Sequence, residues 1–212
     1  MGIESENPEV ESFRPEYEKM PVDEPGFVLV GPSGVGKSTL RDELCAQGVE
    51  GDEAFVKYLP LTTRDRRPGE GQEYHFVSEY EMQTVKDSET ILFGNDSYGN
   101  EFLTLSPLKL PENTYYMYIY LPEAALKLKE KYPNTKIILI EPPEDKSILE
   151  NRIRERDPNI DDQELAKRVG SIRQDIAEGR QIADARVVND GSIEDASQKL
   201  RNTMQDLLPR HE

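Results

Sequence analysis

Four apolar residues, "FVLV" at positions 27–30, run straight into "GPSGVGKST", Gly31 to Thr39, and no other stretch of the chain restricts its fold so tightly. Gly31, Gly34 and Gly36 allow a tight backbone wrap that residues with side chains adopt only under strain. With an apolar strand before it and a helix-compatible run after it, the stretch satisfies GxxxxGK[ST] in the context that gives this pattern meaning. The amides of such a loop turn inward, and the start of the next helix adds a partial positive charge, so the loop suits phosphate. Gly31, Ser33, Gly34, Val35, Gly36, Lys37, Ser38 and Thr39 are therefore the expected ATP-binding residues. Lys37 is expected to reach the β and γ phosphates, and the Ser38 hydroxyl to hold Mg2+.

A lysine in a glycine loop matters more in an acidic chain, and this one carries 42 Asp and Glu against 26 Lys and Arg, a formal charge of −16 over 212 residues. That surplus opposes polyanionic partners, so neither nucleic acid nor an anionic membrane surface is expected. It also fits a high-salt habitat. The length suits one domain with inserted subdomains. No apolar run approaches the roughly 20 residues of a membrane span. The first 24 residues carry Pro8, Pro15, Pro21 and seven glutamates where a signal peptide would be apolar. Cys45 stands alone beside only His75 and His211, which argues against a disulfide framework or a zinc site and for a cytoplasmic setting.

Strand-like runs are predicted at 27–30, 115–121, 136–140 and 186–189, with helices at 37–47, 122–132, 145–156, 161–183 and 192–207. The last helix opens on the capping pattern "SIED". This alternation predicts an α/β fold, a parallel sheet with helices on both faces. Residues 1–25, rich in proline and charge, read as an acidic disordered tail. Between Leu59 and Asn113 the pattern becomes short strands and turns, broken by "RPGEGQ", "NDSYGN" and "LPENT", which reads as an inserted lobe. The expected division is a core of 26–59, 114–143 and 176–212, an acceptor lobe at 60–113 and a lid at 144–175.

Two basic clusters stand out against the acidic background. Arg64, Arg66 and Arg67 crowd into "LTTRDRRPGE", where like charges repel unless an anion offsets them. The planar guanidinium suits bidentate phosphate binding, so a second phosphate-bearing ligand is indicated; the alternative is a solvated turn balanced by Asp65 and Glu70. In "ENRIRERDPNIDDQELAKRV", Arg152 and Arg156 share one helical face and Arg168 returns from the next helix. Guanidiniums closing over a triphosphate stabilise charge on the transferred group. A charged outer helix held by Glu150, Glu155 and Asp157 is the other reading, and the phosphate loop weighs against it.

The phosphate loop, "TTRDRRPGE", "YHFVS", "YG", "RIRER", "KRV" and "VVND" follow one another as in the guanylate kinase family, which the chain resembles from Phe27 to Leu207. The resemblance implies a P-loop kinase fold with an acceptor-binding lobe and a helical lid. It also implies ATP and Mg2+ as cofactors, and transfer of the γ-phosphoryl group to the phosphate of a small phosphomonoester. It places the acceptor phosphate on Arg64, Arg67, Tyr74 and Tyr98, with Glu70 of the same motif, and the lid arginines at Arg152, Arg156 and Arg168. The adenine-side asparagine falls on Asn189.

Departures from the pattern gather at base recognition. Pro60 stands where the family has a guanine-reading serine, and Leu92 where it has a guanine-reading glutamate. Tyr118 and Tyr120 take the places of an Asp-x-Asp pair, Asn100 follows "YG" where a small hydroxyl residue is usual, and the loop before "YHF" is short. The absent strand-end aspartate leaves Glu141 as a conceivable substitute beside Mg2+, or else a surface glutamate. A buried carboxylate replaced by leucine leaves guanine donors unpaired at about 1–3 kcal/mol each, so base selectivity is expected to be relaxed. Two alternatives stay open: a ribose 1,5-bisphosphate phosphokinase, favoured by "TRD", the short loop and "NDGS", and a non-catalytic binding module, which the intact Gly36, Lys37 and Ser38 disfavour.

Overall fold

A strand covered on both faces must be apolar at every position, and "FVLV" meets that requirement. In the computed structural model, which describes residues 26–46, 54–66, 71–86, 91–97, 100–143 and 147–208, all four of its side chains are fully buried. The strands in chain order are β1 (Phe27–Val30), β2 (Ala54–Lys57), β3 (Leu61–Thr62), β4 (His75–Phe76), β5 (Ile91–Ser97), β6 (Asn100–Leu105), β7 (Thr114–Ile119), β8 (Lys136–Glu141) and β9 (Ala185–Val188). The helices are α1 (Lys37–Ala46), α2 (Glu79–Lys86), α3 (Pro122–Lys131), α4 (Ser147–Arg156), α5 (Asp162–Ile182) and α6 (Ile193–Leu207).

The central sheet has the order β2-β7-β1-β8-β9 with all its pairs parallel. Strand periodicity sorts its side chains into two layers. Phe27, Leu29, Met117, Ile138 and Ile140 face Leu40 and Leu44 of α1 and Leu200 and Met204 of α6. Val28, Val30, Tyr116, Tyr118, Ile137 and Leu139 face the other way, toward Ala125 and Leu128 of α3. Helices thus cover both faces, as the alternation of elements predicts. Ser192 caps α6 by accepting from the Asp195 amide at 3.1 Å, an arrangement worth about 1 kcal/mol.

A smaller sheet, β4-β3-β6-β5, occupies the interval between β2 and β7. It mixes one parallel pair, β3 with β4, and two antiparallel ones. Its own core is Leu61, Met82, Val85, Leu103 and Leu105, separate from the two layers of the main sheet. α2, which the periodicity reading does not anticipate, covers it. The signal is nevertheless in "SEYE": Ser78 Oγ accepts from the Glu81 amide at 3.2 Å while the Glu81 carboxylate accepts from the Ser78 amide at 2.8 Å, a reciprocal cap. β2 is likewise unanticipated. The expected lid boundary at residue 175 falls inside α5, which continues unbroken to Ile182. The stretch 1–25 read as a tail lies outside the described residues.

Candidate active site

Between β1 and α1 the chain wraps through Gly31, Gly34 and Gly36, all at positive φ. At Gly36, where φ is 98°, a Cβ would stand 2.5 Å from Asn189 Nδ2, so the wrap is closed too tightly for a side chain. Lys37 bends back onto the loop, its Nζ donating to the carbonyls of Gly31 at 2.7 Å and Pro32 at 2.9 Å. Ser33, Gly34 and Ser38 are half-buried around the wrap and Thr39 is exposed. Val35 turns its side chain into the core, while its carbonyl accepts from Asn189 Nδ2 at 2.8 Å. Asn189, expected beside adenine, therefore braces the loop itself.

On the other side of the sheet's C-terminal edge, the two threonines of "TTR" fasten β3 to β6. Thr62 Oγ1 donates to the Glu101 carbonyl at 2.9 Å and also accepts from the Arg64 amide at 3.2 Å. Thr63 Oγ1 accepts from the Glu101 amide. This anchors the backbone from which Arg64 projects over the rings of Tyr74 and Phe76, 5.3 and 5.4 Å from their centroids. Arg66 lies over Phe76 at 5.8 Å. Arg64 also donates to the Asp65 carbonyl at 2.8 Å, and Arg66 to the Gly71 carbonyl at 3.5 Å, while the planar guanidinium stacked on rings is the group suited to bind a phosphate along its edge. Arg67, Glu70 and Tyr98 lie outside the described residues.

Sequence reasoning missed Arg41, four residues after Lys37 on α1. Only 1% exposed, it donates to the Gln72 carbonyl at 3.2 Å and to Asp42, whose carboxylate also takes Lys57 at 3.0 Å. It ties the helix of the phosphate loop to the segment leading into Tyr74. A basic residue one turn after Lys37 was the available signal, yet nothing local named its partner.

The positions where the family resemblance expects base-reading groups belong to an aromatic cluster. Tyr118 and Tyr120 stack at 5.7 Å, and Phe93 meets Tyr120 edge-on at 5.9 Å. Tyr58 packs on Tyr118 at 4.7 Å and donates its hydroxyl to the Leu105 carbonyl. Both Leu92 and Phe93 lean on this cluster, so neither residue at that bend of β5 brings a carboxylate. The Tyr120 hydroxyl pairs with Thr104 Oγ1 at 2.9 Å, whereas the buried Tyr118 hydroxyl has no hydrogen-bond partner among the described residues. Burial raises the ionisation of both tyrosines well above the ordinary phenol, so both stay neutral hydroxyls. The carboxylate of Glu101 is bound by Lys86.

From the lid side, α4 rests on the loop: a Cβ at Gly34 would lie 3.1 Å from both the Leu149 carbonyl and Ile153. Arg152 is half-buried on this helix, and the side chain of Arg156 lies outside the described residues. Arg154, and not Arg152, forms the ion pairs with Glu150 at 3.4 Å and Asp162 at 3.8 Å. Arg168 on α5 is 6% exposed, with Nε held by Glu164 at 2.8 Å and Nη1 buried without a partner among the described residues. An unsatisfied guanidinium nitrogen is costly, which suits a group awaiting an anion.

Glu141, half-buried at the end of β8, is held in exposed ion pairs and is not a free metal ligand. Arg180 grips it at 2.7 and 3.3 Å with Arg186 at 3.9 Å, and the Arg180 hydrogen bonds hold its carboxyl below the usual range. Hard oxygen donors near the loop are then the Ser38 hydroxyl and Asp175 of α5, whose carboxylate feels the charge of Lys37. No group of three or more His, Cys, Asp or Glu able to hold a metal occurs among the described residues. No helix among the described residues is long and apolar enough to cross a membrane.

The sequence model of the family described as guanylate kinase matches residues 24–207. This chain belongs to the guanylate kinase family. A guanylate kinase of Synechococcus elongatus is 36% identical over 169 residues, covering 77% of this chain and 88% of that protein. One from Cupriavidus metallidurans is 30% identical over 190 residues, covering 84% and 81%. The crystal structure of guanylate kinase from Anaplasma phagocytophilum superposes with a TM-score of 0.60 at 21% identity, covering 88% of this chain and 87% of that one, which shows the shared fold. As a guanylate kinase family member the protein is a nucleotide-binding phosphotransferase acting on a phosphate acceptor.

Proposed function

We propose that the protein transfers the γ-phosphoryl group of ATP to the phosphate of nucleoside monophosphates, GMP among them, with little discrimination between bases. The observation that carries this reading is the stacked pair Tyr118 and Tyr120, closed by Phe93, where the family resemblance expects carboxylates. Guanine offers N–H donors that a carboxylate accepts together. Tyrosine and threonine hydroxyls both donate and accept, so they suit several bases moderately and none strongly. The phosphate end retains its chemistry, with Arg64 poised on Tyr74 and Phe76.

In this reading the loop amides and Lys37 hold the donor phosphates, Arg64 holds the acceptor phosphate, and Arg152 and Arg168 close from the lid. Mg2+, when bound, neutralises charge on the triphosphate. The protein's task is then positioning and charge stabilisation, with no covalent intermediate. A base-free acceptor, ribose 1,5-bisphosphate, is the second reading, favoured by the bulk of the same tyrosine rings. The test is equilibrium binding of GMP and AMP to the wild type and to Tyr120→Asp, with folding checked by circular dichroism. The restored carboxylate is expected to shift the GMP:AMP affinity ratio toward GMP by about tenfold or more, the scale of one added hydrogen-bonded pair. An unchanged ratio would mean that position 120 does not face the base.

A further inference from the structure

Beside the phosphate loop the usual carboxylate is missing. The positions at the end of β7 hold Tyr118 and Tyr120, and Glu141 at the end of β8 is committed to Arg180 and Arg186. A loop hydroxyl alone leaves the protein's share of a Mg2+–nucleotide site incomplete, because such sites pair it with a carboxylate.

α5 brings one from the opposite direction. Arg168, Ser171, Asp175 and Gly179 are spaced three, four and four apart, hence lie along one face. At the C-terminal end of that face the helix lies flat against β8, since a Cβ on Gly179 would stand 2.7 Å from Leu139 Cδ1. The same methyl lies 3.5 Å from where Gly31 would carry its Cβ, so α5 and the phosphate loop flank a single side chain. Lys37 reaches the carbonyl of that Gly31. Asp175, one turn before Gly179 on the same face, is thereby carried toward the phosphate loop, near enough for its carboxylate to feel the charge of Lys37. Among the described residues its carboxylate takes one hydrogen bond, from Ser171 Oγ at 3.2 Å, and no ion pair within 4 Å. It is half-buried, and burial raises its carboxyl above the ordinary value, with Ser171 and Lys37 offsetting only part of that. This is a carboxylate short of cationic company next to a site that receives a cation.

We propose that Asp175 is the carboxylate on the metal side of the phosphate loop, completing with Ser38 the shell of the Mg2+ that accompanies ATP and balancing Lys37 when the nucleotide is away. The inference rests on the reading of Lys37 and Ser38 as the ATP site. It has a signature that a structural role lacks. Neutralising Asp175 weakens only the metal-dependent part of nucleotide binding, and it removes a negative charge from the path of the bare triphosphate.

The experiment is calorimetric titration of ATP into the full-length wild type, Asp175→Asn and Asp175→Glu, each with Mg2+ and with EDTA. For Asp175→Asn the gain in affinity from Mg2+ is expected to shrink about tenfold or more, the usual effect of removing a residue that orients a metal's shell. Binding in EDTA is expected to be equal or tighter. Asp175→Glu is expected to keep part of the gain. An undiminished Mg2+ gain in Asp175→Asn, or equal weakening with and without Mg2+, would overturn the proposal. Failure of the wild type to bind ATP under either condition would overturn the nucleotide-site reading and this inference with it.

Discussion

Asn189 at the end of β9 donates to the carbonyl of Val35 at 2.8 Å, so two residues 154 positions apart together fix the shape of the phosphate loop. Its amide nitrogen also stands where a Cβ of Gly36 would have to go.

The first prediction follows from that bond. Asn189→Ala leaves a buried carbonyl without a donor, which costs about 1–3 kcal/mol. Asn189→Asp is expected to be worse at neutral pH, because a carboxylate sets lone pairs against lone pairs. Both variants should melt at lower temperature and bind ATP more weakly, in the order Ala then Asp. Equal behaviour of Asp and wild type would show that the bond does not brace the loop.

How far the sequence alone reached differs by region, for physical reasons. The central sheet was legible because "FVLV" and the "IILI" of 137–140 are apolar without interruption, as strands buried on both faces must be. The tyrosine face was legible too, since Tyr116, Tyr118 and Tyr120 alternate along β7. α2 was overlooked because it is short and its core is a small sheet of brief strands, although Ser78 and Glu81 signalled its start. Arg41 and Asp175 were illegible, as each is defined by a partner the chain brings from far away. Gln72 is 31 positions from Arg41, and Asp175 comes under the charge of Lys37 only through the packing of α5 on β8. The ion pair of Glu141 was illegible for the same reason, its partner Arg180 lying 39 positions on.

Lys37→Ala is the second prediction. Its ammonium donates to two carbonyls of the loop itself, so the fold is expected to persist by circular dichroism. Turnover should fall about 100-fold or more, because a charge placed on the transferred group is lost. Near wild-type rates would contradict the assignment of the loop.

Third, Arg64 and Arg168 should separate in their kinetics. Arg64→Ala removes a clamp on the acceptor phosphate that serves ground and transition states alike, so KM for the acceptor should rise with kcat little changed. Arg168→Ala removes a buried lid guanidinium and should chiefly lower kcat. Matching profiles would mean that the two residues serve the same step.

The fourth concerns pH. Burial holds the Asp175 carboxyl above its ordinary value, so as pH rises the unfolded chain releases this proton before the folded one does. The folded state therefore binds more protons in the window between the two values, and this group's contribution to stability falls as pH rises through it. Above that window the charge is a standing cost to the fold. Asp175→Asn should accordingly melt at the same or higher temperature than wild type at neutral pH, with the difference vanishing below the unfolded carboxyl's range. A lower melting temperature at neutral pH would show that the carboxylate stabilises the fold through Ser171 and Lys37 more than its burial costs.

The central claim is that phosphate recognition has been kept while the groups that read guanine have given way to Tyr118, Tyr120 and Leu92. Its most direct test is kcat/KM for GMP, AMP, UMP and ribose 1,5-bisphosphate at fixed ATP and Mg2+, repeated at high salt because the −16 charge responds to screening. The account predicts that GMP is preferred over AMP and UMP by less than about 100-fold, well short of the 10⁴–10⁵ a hydrogen-bonding pocket can reach. A strong and exclusive preference for GMP would contradict it, and would mean that other residues of this chain read the guanine edge.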